Sequence, residues 1–133
     1  MSFVLDASVA LTWMMSDENY PLADLAFVKI RREYAAVPAI WWYEVRNMLV
    51  INERRGRISA ADSVQALQDI HRMRIRIGTV QDHENLTDLA RQFSITVYDA
   101  AYLELAIRER VPLATLDKAL RIAAEAAGVP LLA

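Results

Sequence analysis

The 133-residue sequence contains no cysteine, only three glycines and four prolines, and no long apolar run. Without cysteine there are no disulfides or thiolate metal sites, so cysteine usage gives secretion no support. A membrane-spanning helix needs ~20 apolar residues, and the first apolar stretch, which also lacks the basic segment of a signal peptide, is interrupted by Asp6. We therefore expect a cytoplasmic protein with no membrane contact.

Charge is balanced overall but unevenly distributed. The net charge of −2 argues against a generally basic protein that coats nucleic acid. Of the basic residues only Lys29 and Lys118 are lysines, and arginines cluster at 54, 55 and 57 and again at 72, 74 and 76. Arginine suits bidentate contacts with phosphate, although a solvent-exposed role favoured by codon usage explains these clusters equally well.

The order of predicted elements indicates an α/β fold. Apolar runs predict strands at 3–5, 35–39, 75–80, 112–115 and 129–133, and helical patterns lie between them at 8–15, 21–30, 40–55, 59–73, 82–93, 96–109 and 117–128. Their expected boundary residues are Ser8, Ser59, Asp82 and Thr96 as caps, Pro21 at a helix start, and Gly56 and Gly128 at helix ends. Continuous apolar strands alternating with helices predict one three-layer domain over 1–133, with a short parallel sheet covered by helices on both faces.

Two aspartates are expected at the carboxyl edge of this sheet. Asp6 follows the first strand, and Asp117 follows the strand "LAT". The carboxyl ends of parallel strands meet along one edge, where ligands bind in open α/β sheets. Either residue also suits a simple helix N-cap.

Two further acids interrupt apolar helix faces. Glu44 shares its face with Trp41 and Val45. Its structural alternatives are a buried ion pair, with Arg46 or Asn47 the nearest candidates, and a position at the rim of the apolar stripe from which the carboxylate reaches solvent. Asp99 similarly begins the apolar stretch "DAAYLELA", and its alternative is a capping box with Thr96.

Taken together, the four acids predict one acidic cluster. Two carboxylates ~5 Å apart repel by about 3 kcal/mol at an effective dielectric constant near 20, so several such pairs rival a domain stability of about 5–15 kcal/mol. The cluster must therefore bind protons or cations. Because the chain has no thiol, and His71 and His83 are distant from the acids in sequence, a hard cation such as Mg²⁺ or Mn²⁺ is favoured over zinc. We assign neither histidine a catalytic role.

Four segments carry a resemblance to a known family. The stretches "VLDASV", "PAIWWYEVRNML", "ITVYDAAYLELA" and "LATLDKAL" resemble, in order, the four motif segments of the PIN-domain ribonucleases. The chain length is similar to that of the VapC-type members, which are toxins of toxin-antitoxin pairs. The resemblance implies a Mg²⁺- or Mn²⁺-dependent endoribonuclease that acts on RNA, is restrained by a cognate antitoxin, and forms a homodimer.

The same resemblance assigns roles to individual residues. The acidic quartet around the metal is Asp6, Glu44, Asp99 and Asp117, with Asp6 and Asp99 the first choices as direct ligands. Thr115 matches a small hydroxyl residue that positions water, metal or phosphate. Ser8 and Asn47 match supporting polar positions.

Bulky side chains are grouped on two predicted helices, namely Trp13, Met14 and Met15 on one, and Trp41, Trp42 and Tyr43 on the other. Three consecutive helical residues, spaced about 100° apart, cannot all face one core. The exposed members are either partly covered by loops or belong to an interface, which by resemblance is the antitoxin groove or a homodimer face.

Two other classes fit part of the sequence. A haloacid-dehalogenase-like phosphatase would use Asp6 as its nucleophile and Lys118 as its phosphate clamp, but Ser8 stands where its second aspartate is needed, and Glu44 has no role. A non-catalytic binding module would use the acids only as caps and the aromatic surface for a protein partner.

Overall fold

The computed structural model describes residues 2–15, 18–79 and 83–133. Its strands are β1 (Phe3–Leu5), β2 (Ala35–Pro38), β3 (Ile75–Gly78) and β4 (Leu113–Ala114). Its helices are α1 (Ala7–Thr12), α2 (Pro21–Lys29), α3 (Ile40–Arg54), α4 (Ala60–His71), α5 (His83–Phe93), α6 (Val97–Glu109) and α7 (Lys118–Ala126).

The four strands form one parallel sheet in the order β3-β2-β1-β4. Strand β1 lies inside the sheet, where Val4 is in register with Ala36 of β2 and Leu113 of β4. Every residue of β1 is fully buried, as expected for a parallel strand covered on both faces. Parallel pairing places the carboxyl ends of all four strands along the same edge.

Helices flank this sheet in two groups. Helix α6 packs across β1, β2 and β4 with α5 and α7 beside it, whereas α3 contacts β2 and packs with α1 and α4. Helix α6 is buried along most of its length, from Ala100 to Ala106, which explains its almost continuous apolar sequence. The predicted α/β architecture, a short parallel sheet between helices, is confirmed.

Most predicted boundaries are confirmed to within two residues, with three exceptions. Helix α1 was predicted to run to Met15 and ends at Thr12. Ser59 forms a full capping box with Asp62, and Pro21 occupies the first turn of α2. Ser8 was predicted as a cap and is instead the second residue of α1, because the helix begins directly after Asp6. The strand expected at 129–133 is reduced to one parallel bridge between Leu113 and Leu131. The predicted cap at 82 lies outside the described residues.

The bulky side chains of α3 point in different directions. Trp41 is fully buried in the core, Trp42 is half-buried, and Tyr43 is 71% exposed. Near α1, Trp13 donates its indole N–H to the Ala23 carbonyl at 2.9 Å and packs edge-on against Phe27. The prediction that three consecutive aromatics on α3 cannot share one core is therefore correct.

No helix among the described residues is both long and apolar enough to span a membrane.

Candidate active site

Two of the predicted acids lie where strands end on the shared carboxyl edge. Asp6 directly follows β1 and is only 6% exposed, and Asp117 stands at the start of α7, just beyond β4. Asp6 occupies an N-cap position, but its side chain forms no capping hydrogen bond. Asp117 does cap its helix, since its Oδ1 accepts from the Leu120 amide at 2.9 Å. The capping explanation therefore holds for Asp117 and not for Asp6.

A hydroxyl pair holds Asp6 in place. The hydroxyls of Ser8 and Thr115 donate to the same oxygen, Asp6 Oδ2, at 2.6 and 2.7 Å. Each hydroxyl also accepts a backbone N–H from the β4–α7 connection, Ser8 from Leu116 and Thr115 from Asp117, both at 3.0 Å. This network ties the end of β1 to the end of β4, and neither hydroxyl bonds the other carboxylate oxygen, Oδ1.

Glu44 reaches the cluster from α3. Its Oε1 accepts a 2.5 Å hydrogen bond from the hydroxyl of Tyr102 on α6. No described hydrogen bond or ion pair joins Glu44 to Arg46 or Asn47, the partners that the sequence suggested, and Arg46 donates to the carbonyl of Trp42. A partner 58 positions away in sequence therefore orients this carboxylate.

Asp99 lies in the first turn of α6. Its backbone N–H donates to Thr96 Oγ1 at 3.0 Å, so Thr96 is the N-cap that the sequence predicted. The carboxylate of Asp99 is half-buried.

The carboxylates act on one another electrostatically. Burial raises the pKa of Asp6, and the charge of Asp117 raises it further, although the hydroxyls of Ser8 and Thr115 oppose the increase. Burial and the charges of Asp6 and Asp99 raise the pKa of Glu44. The pKa of Asp99 is raised by burial, then by Asp117 and Asp6. Asp6 and Asp99 therefore lie within electrostatic range of each other, of Glu44 and of Asp117.

Nothing positive in the described parts of the chain compensates this cluster by an ion pair. The ion pairs found there involve other acids, such as Glu104 with Arg108 and Glu33 with Lys29. Arg121 approaches the site but donates to the carbonyl of Thr115 at 2.8 Å. Excess negative charge of this kind is stabilised by protons or by a bound cation.

The donor set suits a hard divalent cation. Carboxylate and hydroxyl oxygens are the ligands that Mg²⁺ and Mn²⁺ prefer, and sulfur and imidazole are absent from this cluster. Within residues 2–15, 18–79 and 83–133, no three His, Asp or Glu side chains are grouped closely enough to hold one ion. Mutual repulsion favours separation of carboxylates, and a shared cation would offset it.

Three residues named in the sequence analysis lie outside this network. Asn47 is exposed on α3, and no described hydrogen bond joins it to the acids. His71 stacks on the ring of Trp42, and His83 is exposed at the start of α5. Tyr102, by contrast, was missed as a site residue, because its spacing from Asp99 made it look like an ordinary apolar position.

Comparison with known proteins identifies the family. The PIN domain model matches residues 3–126, so the chain belongs to the PIN domain family. PIN domains are generally metal-dependent nucleases, and PIN nucleases act on RNA. The haloacid-dehalogenase-like alternative is thereby set aside.

A solved structure shares the fold. The crystal structure of PAE2754 from Pyrobaculum aerophilum matches with a TM-score of 0.72 at 20% sequence identity, over 92% of this chain and 79% of that one. Identity at this level establishes similarity of fold alone. No curated protein matches the sequence.

The raised pKa values predict a pH-dependent stability. A carboxyl with a raised folded-state pKa contributes stability at low pH, and this contribution is lost as the pH rises through that pKa. In chelator, the unfolding free energy of Asp6→Asn relative to wild type should therefore increase as the pH rises above the ordinary aspartate pKa of about 4. Urea denaturation at several pH values measures this difference, with Asp88→Asn, an exposed acid of α5, as the control. A pH-independent difference for Asp6→Asn would contradict the assignment.

A second prediction concerns Tyr102. Tyr102→Phe keeps the buried ring but removes the hydroxyl that orients Glu44. Loss of such an outer partner typically weakens metal affinity by about 10–100-fold. We expect a shift of this size in the Mg²⁺ concentration that half-maximally raises the melting temperature. Tyr98→Phe, on the exposed face of the same helix, should leave the midpoint unchanged. Equal midpoints for Tyr102→Phe and wild type would refute the role of the hydroxyl.

Proposed function

We propose that this PIN-domain protein is a Mg²⁺- or Mn²⁺-dependent endoribonuclease that hydrolyses phosphodiester bonds at the cluster of Asp6, Glu44, Asp99 and Asp117. One observation carries the proposal. Asp6 is buried at the end of a central strand, is held by two hydroxyls through one oxygen, and lies within the field of the other acids. A purely structural aspartate gains nothing from like-charged neighbours.

Some side chains of the site would hold the cation, and others orient these ligands. Asp6 and Asp99 are the first choices as ligands, with Glu44 and Asp117 completing the acidic set. When bound, the cation would lower the pKa of a water nucleophile and offset charge on the leaving 3′ oxygen, giving 5′-phosphate and 3′-hydroxyl ends. Thr115 and Tyr102 fix the orientation of two of the acids.

The proposal predicts metal-dependent cleavage that needs Asp6. Purified protein with Mg²⁺ or Mn²⁺ should cut total RNA at discrete positions, which sequencing of the fragment ends would identify. EDTA should abolish cutting, and Asp6→Asn should reduce it beyond the ~10–100-fold loss typical of outer-shell changes. Asp88→Asn is the matched control, since that acid is exposed on α5 and pairs with Arg91. Wild-type cutting by Asp6→Asn would refute the assignment.

A stability measurement separates this function from the binding-module alternative. A ligand that binds only the folded state raises the melting temperature. Mg²⁺ should therefore stabilise the wild type and not Asp99→Asn. Absence of both cleavage and metal-induced stabilisation would favour a non-catalytic binding module.

We also propose that the protein is the toxin of a toxin-antitoxin pair, and that a helical segment of its antitoxin binds in a surface cavity. This cavity has a volume of about 710 Å³ and lies among α1, α2 and α4. Trp13, Met14, Met15, Phe27, Ile58, Ala66, Ile70 and Met73 form its apolar lining. The rim is charged, with Arg57, Asp62 and Asp69. Amphipathic helices dock in apolar grooves of this kind.

Filling that cavity should weaken antitoxin binding. Ala66→Arg places a long charged side chain on the cavity face of α4, and affinity for the cognate antitoxin should fall about tenfold or more, as at other apolar hot spots. Val64→Arg lies on the exposed face of the same helix and should bind normally. Calorimetric titration measures affinity, and thermal melting checks that both variants fold. Unchanged affinity of Ala66→Arg would place the antitoxin elsewhere.

The homodimer and the cytoplasmic location stay predictions. Light scattering on the purified protein would determine its oligomeric state.

A further inference from the structure

A second cleft, smaller than the cavity among α1, α2 and α4, borders α3 and has no role in the reaction described above. Its volume is about 420 Å³, and its lining residues are Trp42, Tyr43, Arg46, His71 and Ile77. Volumes of ~300–1,000 Å³ are typical of ligand pockets. The cleft therefore has room for a small planar group.

Aromatic and cationic groups are already stacked in this cleft. The rings of Trp42 and His71 are nearly parallel, with centroids 5.5 Å apart and an interplanar angle of 21°. The guanidinium carbon of Arg46 lies 5.4 Å from the centroid of the Trp42 ring. Beside them Tyr43 is 71% exposed, so a flat π-face is available to a ligand.

The cleft adjoins the acidic cluster. Tyr43 immediately precedes Glu44 on α3, and Ile77 lies near the carboxyl end of β3. Because the sheet is parallel, that end faces the same edge as Asp6. Strand β3 is two places from β1, or roughly 10 Å at ~4.8 Å per strand.

The charge around the cleft is positive. Among the described residues that line it there is no acid, and Arg46 contributes a guanidinium. Arg76 lies on the opposite face of β3 from Ile77, where its guanidinium is 3.9 Å from the centroid of the Tyr34 ring. A polyanion complements this charge, whereas a symmetric pairing with a second copy would bring a like charge to it.

We propose that this cleft is a base-binding subsite for single-stranded RNA, occupied by an unpaired nucleotide that neighbours the scissile phosphate. The base stacks on Tyr43, and Arg46 contacts the backbone. Exposed aromatic rings combined with arginines are the features by which proteins bind single strands. The proposal rests on the nuclease function and adds to it the surface that holds the substrate beside the acids.

Binding without cleavage tests the subsite. In EDTA, the affinity of a fluorescent single-stranded RNA oligonucleotide is measured by anisotropy over a range of salt concentrations. Tyr43→Ala should weaken binding about tenfold, the effect of one lost stacking contact, and Tyr43→Phe should retain affinity. Arg46→Gln should lower the salt slope by about 0.7, as for one lost phosphate contact. Tyr20→Ala and Arg91→Gln, at exposed positions outside the cleft, are the matched controls.

A substrate scan then locates the nucleotide. Abasic sites are introduced singly around the cleavage position. One abasic site should lower the RNA affinity of the wild type about tenfold. The same site should leave the affinity of Tyr43→Ala unchanged, because that variant has already lost the stacking contact.

The outcomes separate the subsite from the proposed function. If the protein cleaves RNA and Tyr43→Ala binds RNA with wild-type affinity, the subsite is overturned and the nuclease function stands. Tyr43-dependent RNA binding without metal-dependent cleavage would support the subsite and refute the nuclease. Conversion of a dimer to a monomer by Tyr43→Ala would make the cleft an interface between copies of the chain and overturn the proposal.

Discussion

The pairing of β1 with β4 is the constraint on which the site depends. It brings Asp6 and Thr115, which are 109 positions apart in sequence, within hydrogen-bonding distance at the edge of the sheet. The two hydroxyls on Asp6 Oδ2 then hold a carboxylate whose burial and like-charged neighbours would otherwise favour its protonation or displacement. The hydrogen bond from Thr115 to Asp6 therefore depends on the sheet, because the pairing of β1 with β4 sets a spacing that the acids alone would not maintain.

Helix α3 links three roles through consecutive residues. Trp41 anchors the helix in the core, Tyr43 is exposed beside the basic cleft, and Glu44 is held toward the cluster by Tyr102. The angular spacing of about 100° per residue separates these directions within one turn. Because the helix is rigid, it fixes the position of Tyr43, in the proposed substrate subsite, relative to Glu44, a proposed metal ligand. A loop would fix this relative position less well.

The sequence indicates the sheet and the strand-end acids because both depend on local pattern. Continuous apolar stretches such as Phe3–Leu5 are typical of buried parallel strands, and Asp6 stands out by its position after one. The partner of Glu44 was not predictable in this way, since Tyr102 contacts it only through packing of α6 against the rest of the fold. Ser8 was assigned the wrong local role for the same reason, because its hydroxyl serves contacts with a distant strand end.

The two borders of the sheet are protected differently. On one side the bridge between Leu113 and Leu131 extends the ladder beyond β4 with backbone from the end of the chain. On the other, β3 is only four residues long and carries the exposed Arg76. A short border strand with a charged side chain is a poor template for strand addition by another molecule. An apolar residue in place of Arg76 would lack this charge and would make β3 a better template for such pairing.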